Sequence, residues 1–337
     1  MASVSHHEGR LAGAVEARLR AVPGLDVTRV GDNVVARTHL GRARRVVLAG
    51  HLDTVPPNGN ERARLEGDWC WGLGSVDMKS GLAVLLELAR TVARPALDVT
   101  YVFYAGEEVA ERHNGLEHLF ATAPELVAAD VAVLAEPTGA RIEAGCQGTL
   151  RLRATARGER AHTARGWLGR NAVHALAPVL AALAGHDGRR VVMGGCEFRE
   201  GLEAVAVGGG VAGNVVPDEA WVEVNHRFAP DRSPAEAEAQ VRRVLEVAGT
   251  RLEVEVLDAA PAAPPALDDP WLTRLVAAVG EPPRAKLGWT DVARFAGRGV
   301  PATNFGPGDP NLAHHAEERV CRADLDACYR VLAGALA

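Results

Sequence analysis

Histidine and carboxylate side chains recur at one kind of position in this 337-residue sequence, directly beyond a short run of strand-forming residues. The residues at such positions are His51, Asp53, Glu107, Glu108 and Glu136, joined by Asp77 just before a predicted helix and by His314 after a Gly/Pro loop. Imidazole nitrogen and carboxylate oxygen are ligands that zinc accepts, and a catalytic zinc keeps one position open for water. Two histidines with three carboxylates can serve two metal ions if one carboxylate bridges them. The pattern therefore predicts a metal centre with access for a reactive water molecule.

The spacing inside two of these pairs suggests separate tasks. In His51-Leu52-Asp53 an extended backbone places both polar side chains on one face, so Asp53 can accept the second imidazole N–H and set the tautomer of the ligand. In Glu107-Glu108 the adjacent carboxylates can point in different directions. One of them would then bind metal while its neighbour takes a proton from water.

Each member of the set also has an ordinary structural explanation. A His-x-Asp pair after a strand is commonly a surface or capping pair, and an isolated Glu-Glu is usually solvated. Asp77 could cap a helix N-terminus, Glu136 could be a polar strand end, and His314-His315 could be a loop pair. Placement after a strand recurs at three independent points, however, and the residue types complete a coordination sphere. This agreement favours the metal centre.

The elements that must bring these residues together are short hydrophobic strands separated by helices. Predicted strands cover Val46–Ala49, Val99–Tyr104 and Val131–Leu134, and an apolar helix face runs through Met78–Arg90. Continuous apolar strands that alternate with helices are typical of a parallel sheet covered on both sides. Because the carboxyl ends of such strands line one crevice, side chains far apart in sequence converge there. The sequence thus predicts an α/β fold with a mostly parallel central sheet.

The middle of the chain has a different pattern. Alternating strands begin at Thr149–Ala154, and the predicted elements from there follow the order βαββαβ of a split ferredoxin-like unit. The later elements are a helix at Asn171–Leu183, strands at Glu203–Val207 and Trp221–Asn225, a helix at Pro234–Val247 and a strand at Leu252–Leu257. A Pro/Ala linker at Ala259–Pro265 follows, and the βα pattern then resumes. We therefore predict a domain of residues 1–144 and 262–337 with an inserted α+β domain of residues 145–261.

Composition narrows the class of partner. The chain carries 37 Lys+Arg against 43 Asp+Glu, a net charge of −6, and 4% aromatic residues, which argues against a nucleic-acid partner. No apolar run reaches the length of a signal peptide or of a membrane span, so we expect a cytoplasmic protein with no membrane partner. The 5 cysteines contain no C-x-x-C pair, and the metal would therefore be held by nitrogen and oxygen.

Several segments resemble the successive motifs of the dinuclear-zinc aminoacylase and carboxypeptidase superfamily. They are Gly50–Pro56, Gly72–Gly81, Gly106-Glu107-Glu108 and Ala135–Thr138. Other segments are similar to those of the actinobacterial-type succinyl-diaminopimelate desuccinylases within that superfamily. These are Lys286–Phe295, Asn304–Pro310 and Ala313–Glu318. The resemblance spans nearly the whole chain and implies a zinc-peptidase-like catalytic domain that carries an inserted dimerisation domain, the lid.

The resemblance also implies roles for the candidate residues. His51 and Glu136 match the ligands of one metal ion, Glu108 and His314 match those of the other, and Asp77 matches the bridging carboxylate. The implied cofactor is two Zn²⁺ ions per subunit, with Co²⁺ as a substitute. Glu107 matches the catalytic base. Asp53, which the spacing places beside His51, is expected to assist catalysis by orienting that ligand.

Residues of the lid and of the C-terminal segment match substrate contacts. His162 matches a histidine that reaches the active site of the partner subunit, which implies a homodimer. Asn214, Arg227, Gly288 and Thr290 match positions that contact substrate. Some family members carry arginines in the segment that enters the lid, whereas this chain has Gly145–Thr149. We therefore expect Arg165, Arg170 and Arg227 to bind the distal carboxylates of the substrate.

The implied reaction is hydrolysis of the succinyl amide of N-succinyl-LL-2,6-diaminopimelate, a small N-succinyl amino acid, to succinate and LL-diaminopimelate. This is a step towards lysine and a cell-wall precursor. The nearest alternatives keep the same metal chemistry and change the pocket: an N-acetylornithine deacetylase, another N-acyl amino-acid deacylase or a carboxypeptidase. A more distant alternative is a non-catalytic protein that binds metal or amino acids. Glu107 argues against it, because binding alone needs no base.

Overall fold

The computed structural model describes residues 1–246 and 250–337, and the chain forms two units. The first unit comprises Met1–Gly145, Pro265–Arg284 and Asp291–Ala337. The second comprises Cys146–Pro264 and Ala285–Thr290. Because each unit has its own sheet and helices, the two are described in turn.

The main sheet has 8 strands, and the strands at its centre run parallel. In spatial order they are β1 (Asp26–Val30), β2 (Asn33–Arg37), β6 (Asp98–Tyr104), β3 (Arg45–His51), β7 (Val131–Leu134), β16 (Ala302–Asn304), β8 (Glu143–Ala144) and β15 (Arg284–Ala285). Strands β6, β3, β7 and β16 form the parallel core, while β1, β2 and β8 pair antiparallel. The predicted α/β fold with a mostly parallel central sheet is confirmed.

Helices and a second, smaller sheet complete the first unit. The helices are α1 (Gly9–Arg20), α2 (Lys79–Thr91), α3 (Gly115–Thr122), α4 (Pro124–Val127), α8 (Pro270–Val279), α9 (Val292–Ala296) and α10 (Arg322–Leu336). The smaller sheet contains β17 (Arg319–Cys321), β5 (Trp69–Trp71) and β4 (Arg64–Glu66). Within the described ranges, no helix is both long and apolar enough to cross a membrane.

Helix α2 packs closely against the sheet because two glycines leave room for it. A Cβ on Gly81 would lie 2.2 Å from the carbonyl oxygen of Ala135, and a Cβ on Gly50 would lie 2.6 Å from Cε of Met78. Both contacts are far shorter than van der Waals distance. Glycine at these positions therefore lets the start of α2, next to Asp77, lie against the ends of β3 and β7.

The second unit has a 4-stranded antiparallel sheet covered by helices. Its strands in spatial order are β12 (Gly201–Gly209), β13 (Glu219–Phe228), β9 (Gly148–Arg157) and β14 (Leu252–Ala260). Its helices are α5 (Ala172–Ala175), α6 (Ala177–Ala184) and α7 (Pro234–Leu245). Every neighbouring pair in this sheet is antiparallel. This is the strand arrangement of the predicted ferredoxin-like unit.

Several details of the second unit differ from the sequence prediction. A hairpin of β10 (Arg190–Met193) and β11 (Cys196–Arg199) lies between the first helix pair and β12 and was not predicted. The helix expected at Asn171–Leu183 is divided into α5 and α6, with Pro178 in the first turn of α6. The predicted last residue of the next helix, Val247, lies outside the described residues.

The two ends of the longer segment of the second unit, Cys146–Pro264, are paired with each other. Cys146 and Ala263 exchange backbone hydrogen bonds of 3.0 Å each, so the chain is anchored where it enters and where it leaves. Residues 285–290, which the sequence division placed in the first domain, belong to this unit. The backbone N–H of Gln147 donates to the carbonyl of Lys286 over 3.2 Å, and the indole N–H of Trp289 donates to the carbonyl of Pro261 over 3.1 Å.

Candidate metal centre

The candidate residues of the first unit lie at one edge of the main sheet. His51 is the last residue of β3, Glu107 and Glu108 follow β6, and Glu136 follows β7. Strand β3 pairs in parallel with both β6 and β7. Parallel neighbours end at the same edge, which is why groups separated by dozens of residues in sequence meet here.

Asp77 lies between two imidazole rings. Its Oδ1 is 3.0 Å from Nε2 of His51, and its Oδ2 is 3.5 Å from Nε2 of His314. Nε2 of His314 is also 2.9 Å from Oε1 of Glu108. Ligand atoms of His51, Asp77 and Glu108 all lie within 4.8 Å of one another. Asp77 is not the cap of α2, because that position is held by Met78.

The chemistry of this donor set fits a divalent cation. Each oxygen of Asp77 faces a different imidazole, as a carboxylate shared by two metal ions requires. Burial opposes protonation of His51, but hydrogen bonds to Asp53 and Asp77 outweigh it and raise the pKa of this imidazole. Hydrogen bonds to Asp77 and Glu108 raise the pKa of His314 to about 10. The negative charge that attracts protons to both rings would equally attract a metal cation, and metal binding would displace those protons.

Asp53 organises the segment that carries Glu107 and Glu108. Its carboxylate is fully buried and accepts the backbone N–H groups of both glutamates over 3.0 Å each, together with the Ser5 hydroxyl over 2.8 Å. Burial favours the neutral acid, but hydrogen bonds from His51 and from the two N–H groups lower the pKa of Asp53 to about 2. Nδ1 of His51 lies 3.1 Å from the Asp53 carbonyl and 3.4 Å from its carboxylate. Both oxygen atoms therefore orient the ring.

Glu107 lies in a strongly negative environment. Burial raises the pKa of Glu107, the charge of His51 lowers it, and the charges of Glu136, Asp291 and Glu108 raise it further, so the net shift is upward. Glu136 is 5% exposed and contributes to this environment from the end of β7. A glutamate with a raised pKa is suited to accepting and then releasing a proton near neutral pH.

Two buried carboxylates beside the centre were missed by the site prediction. Asp291 is fully buried, and both of its oxygens lie 3.1 Å from Nδ2 of Asn114. Glu318 is 1% exposed and accepts backbone N–H groups of the segment that leads to Asp77. Both residues fall in segments that carried the family resemblance. Neither residue follows a predicted strand or falls in a predicted helix, so the sequence pattern did not single the two out.

The second unit contains the other predicted residues, and His162 is exposed there. Its Nδ1 accepts the backbone N–H of Ala164 over 3.0 Å at the start of the 3₁₀ helix Thr163–Leu168. A neutral imidazole that accepts at Nδ1 carries its proton on Nε2, so His162 presents an N–H donor to its surroundings. Asn214 is exposed beside it, and its carbonyl accepts the N–H of Thr163 over 3.0 Å.

Arg227 is partly buried on β13 without a carboxylate partner. In the part of the chain that the structure describes, no acidic group lies within ion-pair distance of its guanidinium, and burial lowers its pKa. An unpaired, partly desolvated cation is a suitable partner for an anionic ligand. Arg165, Arg170 and Gly288 are exposed, and Thr290 is 2% exposed.

The arrangement predicts that substitutions of two neighbouring histidines, His314 and His315, differ sharply in their effect on Zn²⁺ affinity. His314→Ala removes the imidazole that faces Asp77 and Glu108, and should weaken binding of Zn²⁺ to the metal-free protein by at least ~10-fold. His315→Ala is the control, because this ring is exposed and accepts the backbone N–H of Glu317 over 3.1 Å. Competition with a chromophoric chelator measures both affinities. Equal affinities in the two variants would contradict the assignment of His314.

Comparisons with known proteins identify the family of the chain. The model of peptidase family M20/M25/M40 matches residues 47–337. The succinyl-diaminopimelate desuccinylase of Corynebacterium glutamicum is 48% identical over 324 residues, 94% of this chain and 88% of that protein. A Mycobacterium tuberculosis protein whose name assigns it the same activity is 52% identical over 331 residues, 98% of this chain and 93% of that protein.

A solved structure shows the same fold at much lower identity. The M20 family metallo-carboxypeptidase of Sulfolobus solfataricus superimposes with a TM-score of 0.81 at 16% identity, over 99% of this chain and 95% of that one. The family model covers well over half of the chain, and the sequence relatives cover nearly all of it. The chain therefore belongs to peptidase family M20/M25/M40.

Proposed function

We propose that this protein is a metal-dependent amidohydrolase that cleaves N-succinyl-LL-2,6-diaminopimelate to succinate and LL-diaminopimelate. The observation that carries the reaction class is Asp77, shared between His51 and His314 beside the proton acceptor Glu107. The substrate rests on the relatives named for this reaction, at 48% and 52% identity over almost the whole chain. A cytoplasmic location is part of the same proposal.

The proposed cofactor is a pair of Zn²⁺ ions, which Co²⁺ could replace. His51 and Glu136 would hold one ion, Glu108 and His314 the other, and Asp77 both. When bound, the ions supply Lewis-acid polarisation of the amide carbonyl and lower the pKa of water. The contacts of Asp77 with two separate imidazoles support this division of ligands. Glu136 enters the proposal through the resemblance and through its buried position at the end of β7.

Glu107 is the proposed proton carrier. Its carboxylate accepts a proton from the attacking water as the water oxygen bonds to the amide carbonyl carbon. The same group then delivers that proton to the amine nitrogen as the C–N bond breaks, which leaves succinate and the free amine. The raised pKa of Glu107 supports this double role. Asp53 holds the backbone of Glu107 and keeps the base in place.

His162 is the proposed donor to the carbonyl oxygen, from the partner subunit of a homodimer. Negative charge develops on that oxygen during attack, and an N–H donor aimed at it stabilises the charge. The hydrogen bond from Ala164 to Nδ1 leaves the proton on Nε2, as this role requires. The remaining substrate contacts are proposed to come from the second unit. Arg227, Arg165 and Arg170 would pair with carboxylates, and Asn214, Gly288 and Thr290 would complete the pocket.

The reaction is tested by direct competition between substrates. Purified protein is stripped with a chelator, restored with Zn²⁺ and supplied with N-succinyl-LL-diaminopimelate and N-acetylornithine together. We expect hydrolysis of the succinyl substrate only after metal is restored. Preferential hydrolysis of the acetyl substrate would identify a different deacylase. Activity that is indifferent to chelation would contradict the metal chemistry itself.

The role of Glu107 is tested by Glu107→Gln, which keeps the shape of the side chain and removes its basicity. We expect turnover to fall by roughly 10²–10⁴-fold while metal content stays at the wild-type level. Glu125→Gln, a change on the exposed face of α4, serves as the control and should leave turnover unchanged. Full activity in Glu107→Gln would exclude this residue as the base.

Donation across a dimer is tested by complementation. Glu107→Gln and His162→Ala should each be nearly inactive alone. After the two variants are mixed under conditions that exchange subunits, each mixed dimer has one site with both an intact Glu107 and a His162 from its partner. Activity should therefore return. If His162 served its own subunit, the mixture would stay inactive, and sedimentation would show whether dimers had formed.

A further inference from the structure

Glu318 is a buried carboxylate that the proposed reaction does not use. Its Oε1 accepts the backbone N–H groups of Val76 over 2.8 Å and of Asp77 over 3.1 Å, and its Oε2 accepts the N–H of Gly74 over 3.0 Å. Glu318 is 1% exposed to solvent. We infer that Glu318 is a positioning residue that holds Asp77 in the orientation needed to face two metal ions.

The contacts are costly to lose, which makes them effective as a restraint. A buried carboxylate is tolerated only when hydrogen bonds replace its hydration, and here the peptide N–H groups supply that replacement. The same three N–H groups would be left without this acceptor if the carboxylate were removed. The backbone that leads into Asp77, including the N–H of Asp77 itself, is therefore held by one side chain distant in sequence.

Glu318 also connects the segment of Asp77 to the loop of His314. Its backbone carbonyl accepts the N–H of Gly72 over 3.0 Å, and its own N–H donates to the carbonyl of His315 over 3.1 Å. His314 has a φ of 62°, in the left-handed region that is unfavourable for a residue with a Cβ. Contacts that hold the following residues in place support this conformation. The contacts of Asp77 with His51 and His314 thus depend on the position of Glu318.

Glu318 acts through Asp77 and does not bind metal itself in this arrangement. Both of its oxygens point at peptide N–H groups. The inference rests on the proposed metal site, and it predicts an effect on metal affinity that is separate from the general effect on folding. Groups that orient metal ligands typically alter affinity or activity by 10–100-fold when they are changed.

The test is metal affinity in Glu318→Gln. The amide keeps one acceptor oxygen, but its NH₂ group replaces Oε2 and confronts the N–H of Gly74. We expect Co²⁺ affinity of the metal-free protein to fall by ~10–100-fold, with a changed visible absorption spectrum of the Co²⁺ form. At saturating Co²⁺, KM should stay near the wild-type value. If the glutamine variant does not fold, Glu318→Asp, which shortens the reach by one methylene, is measured in its place with the same expectation.

Asp98→Asn provides the matched control. Asp98 is also a buried carboxylate that accepts two backbone N–H groups, those of Leu40 over 2.8 Å and Arg42 over 2.9 Å. It begins β6, whereas Glu107 and Glu108 follow the other end of that strand. We expect this variant to lower the melting temperature and to leave Co²⁺ affinity unchanged.

Two results would overturn the inference. One is wild-type Co²⁺ affinity and spectrum in a folded Glu318 variant, whatever its melting temperature. The other is an equal loss of affinity in Asp98→Asn, which would show that any buried carboxylate matters. A wild-type protein that binds Co²⁺ but does not hydrolyse the succinyl substrate would contradict the proposed reaction and leave the role of Glu318 standing.

Discussion

Negative charge crowded at one edge of a parallel sheet is the constraint on which this structure depends. Strands β3, β6 and β7 end together, and the residues that follow them bring carboxylates close to two histidines. Such a cluster is unfavourable unless positive charge balances it. This negative charge raises the pKa of both His51 and His314, and a pair of metal ions would balance it. The need for a counter-charge makes this edge a candidate metal site.

The carboxylates in this region fall into two groups: some face imidazoles, and others accept hydrogen bonds from the backbone. Asp77 and Glu108 direct oxygens at imidazoles and are suited to hold cations. Asp53 and Glu318 direct oxygens at peptide N–H groups, and so determine where the ligand-bearing segments lie. The same functional group serves both purposes because a carboxylate accepts hydrogen bonds as readily as it binds metal. Precision at the site therefore comes from residues that are not ligands.

The second unit carries hydrogen-bond donors and positive charge, in contrast to the carboxylates of the candidate metal centre. His162 presents a donor Nε2–H, and Arg227 is a cation partly shielded from water. An N-succinyl amino acid carries several carboxylates, and its amide oxygen becomes negative during hydrolysis. Hydrogen-bond donors and positive charge are what an anionic substrate needs from its protein contacts. This chemical match supports the proposed role of the second unit in substrate binding.

Local pattern was enough to predict the parallel sheet and the strand-end placement of His51, Glu107, Glu108 and Glu136, because apolar runs and the polar residues beyond them are local features. The roles of Glu318 and Asp291 depended on the tertiary structure, because each acts on residues far away in sequence. The same holds for Asp53, whose carboxylate proved to hold Glu107 and Glu108 as well as His51. Periodicity reports which face of an element is buried, whereas a contact between distant loops exists only once the chain has folded.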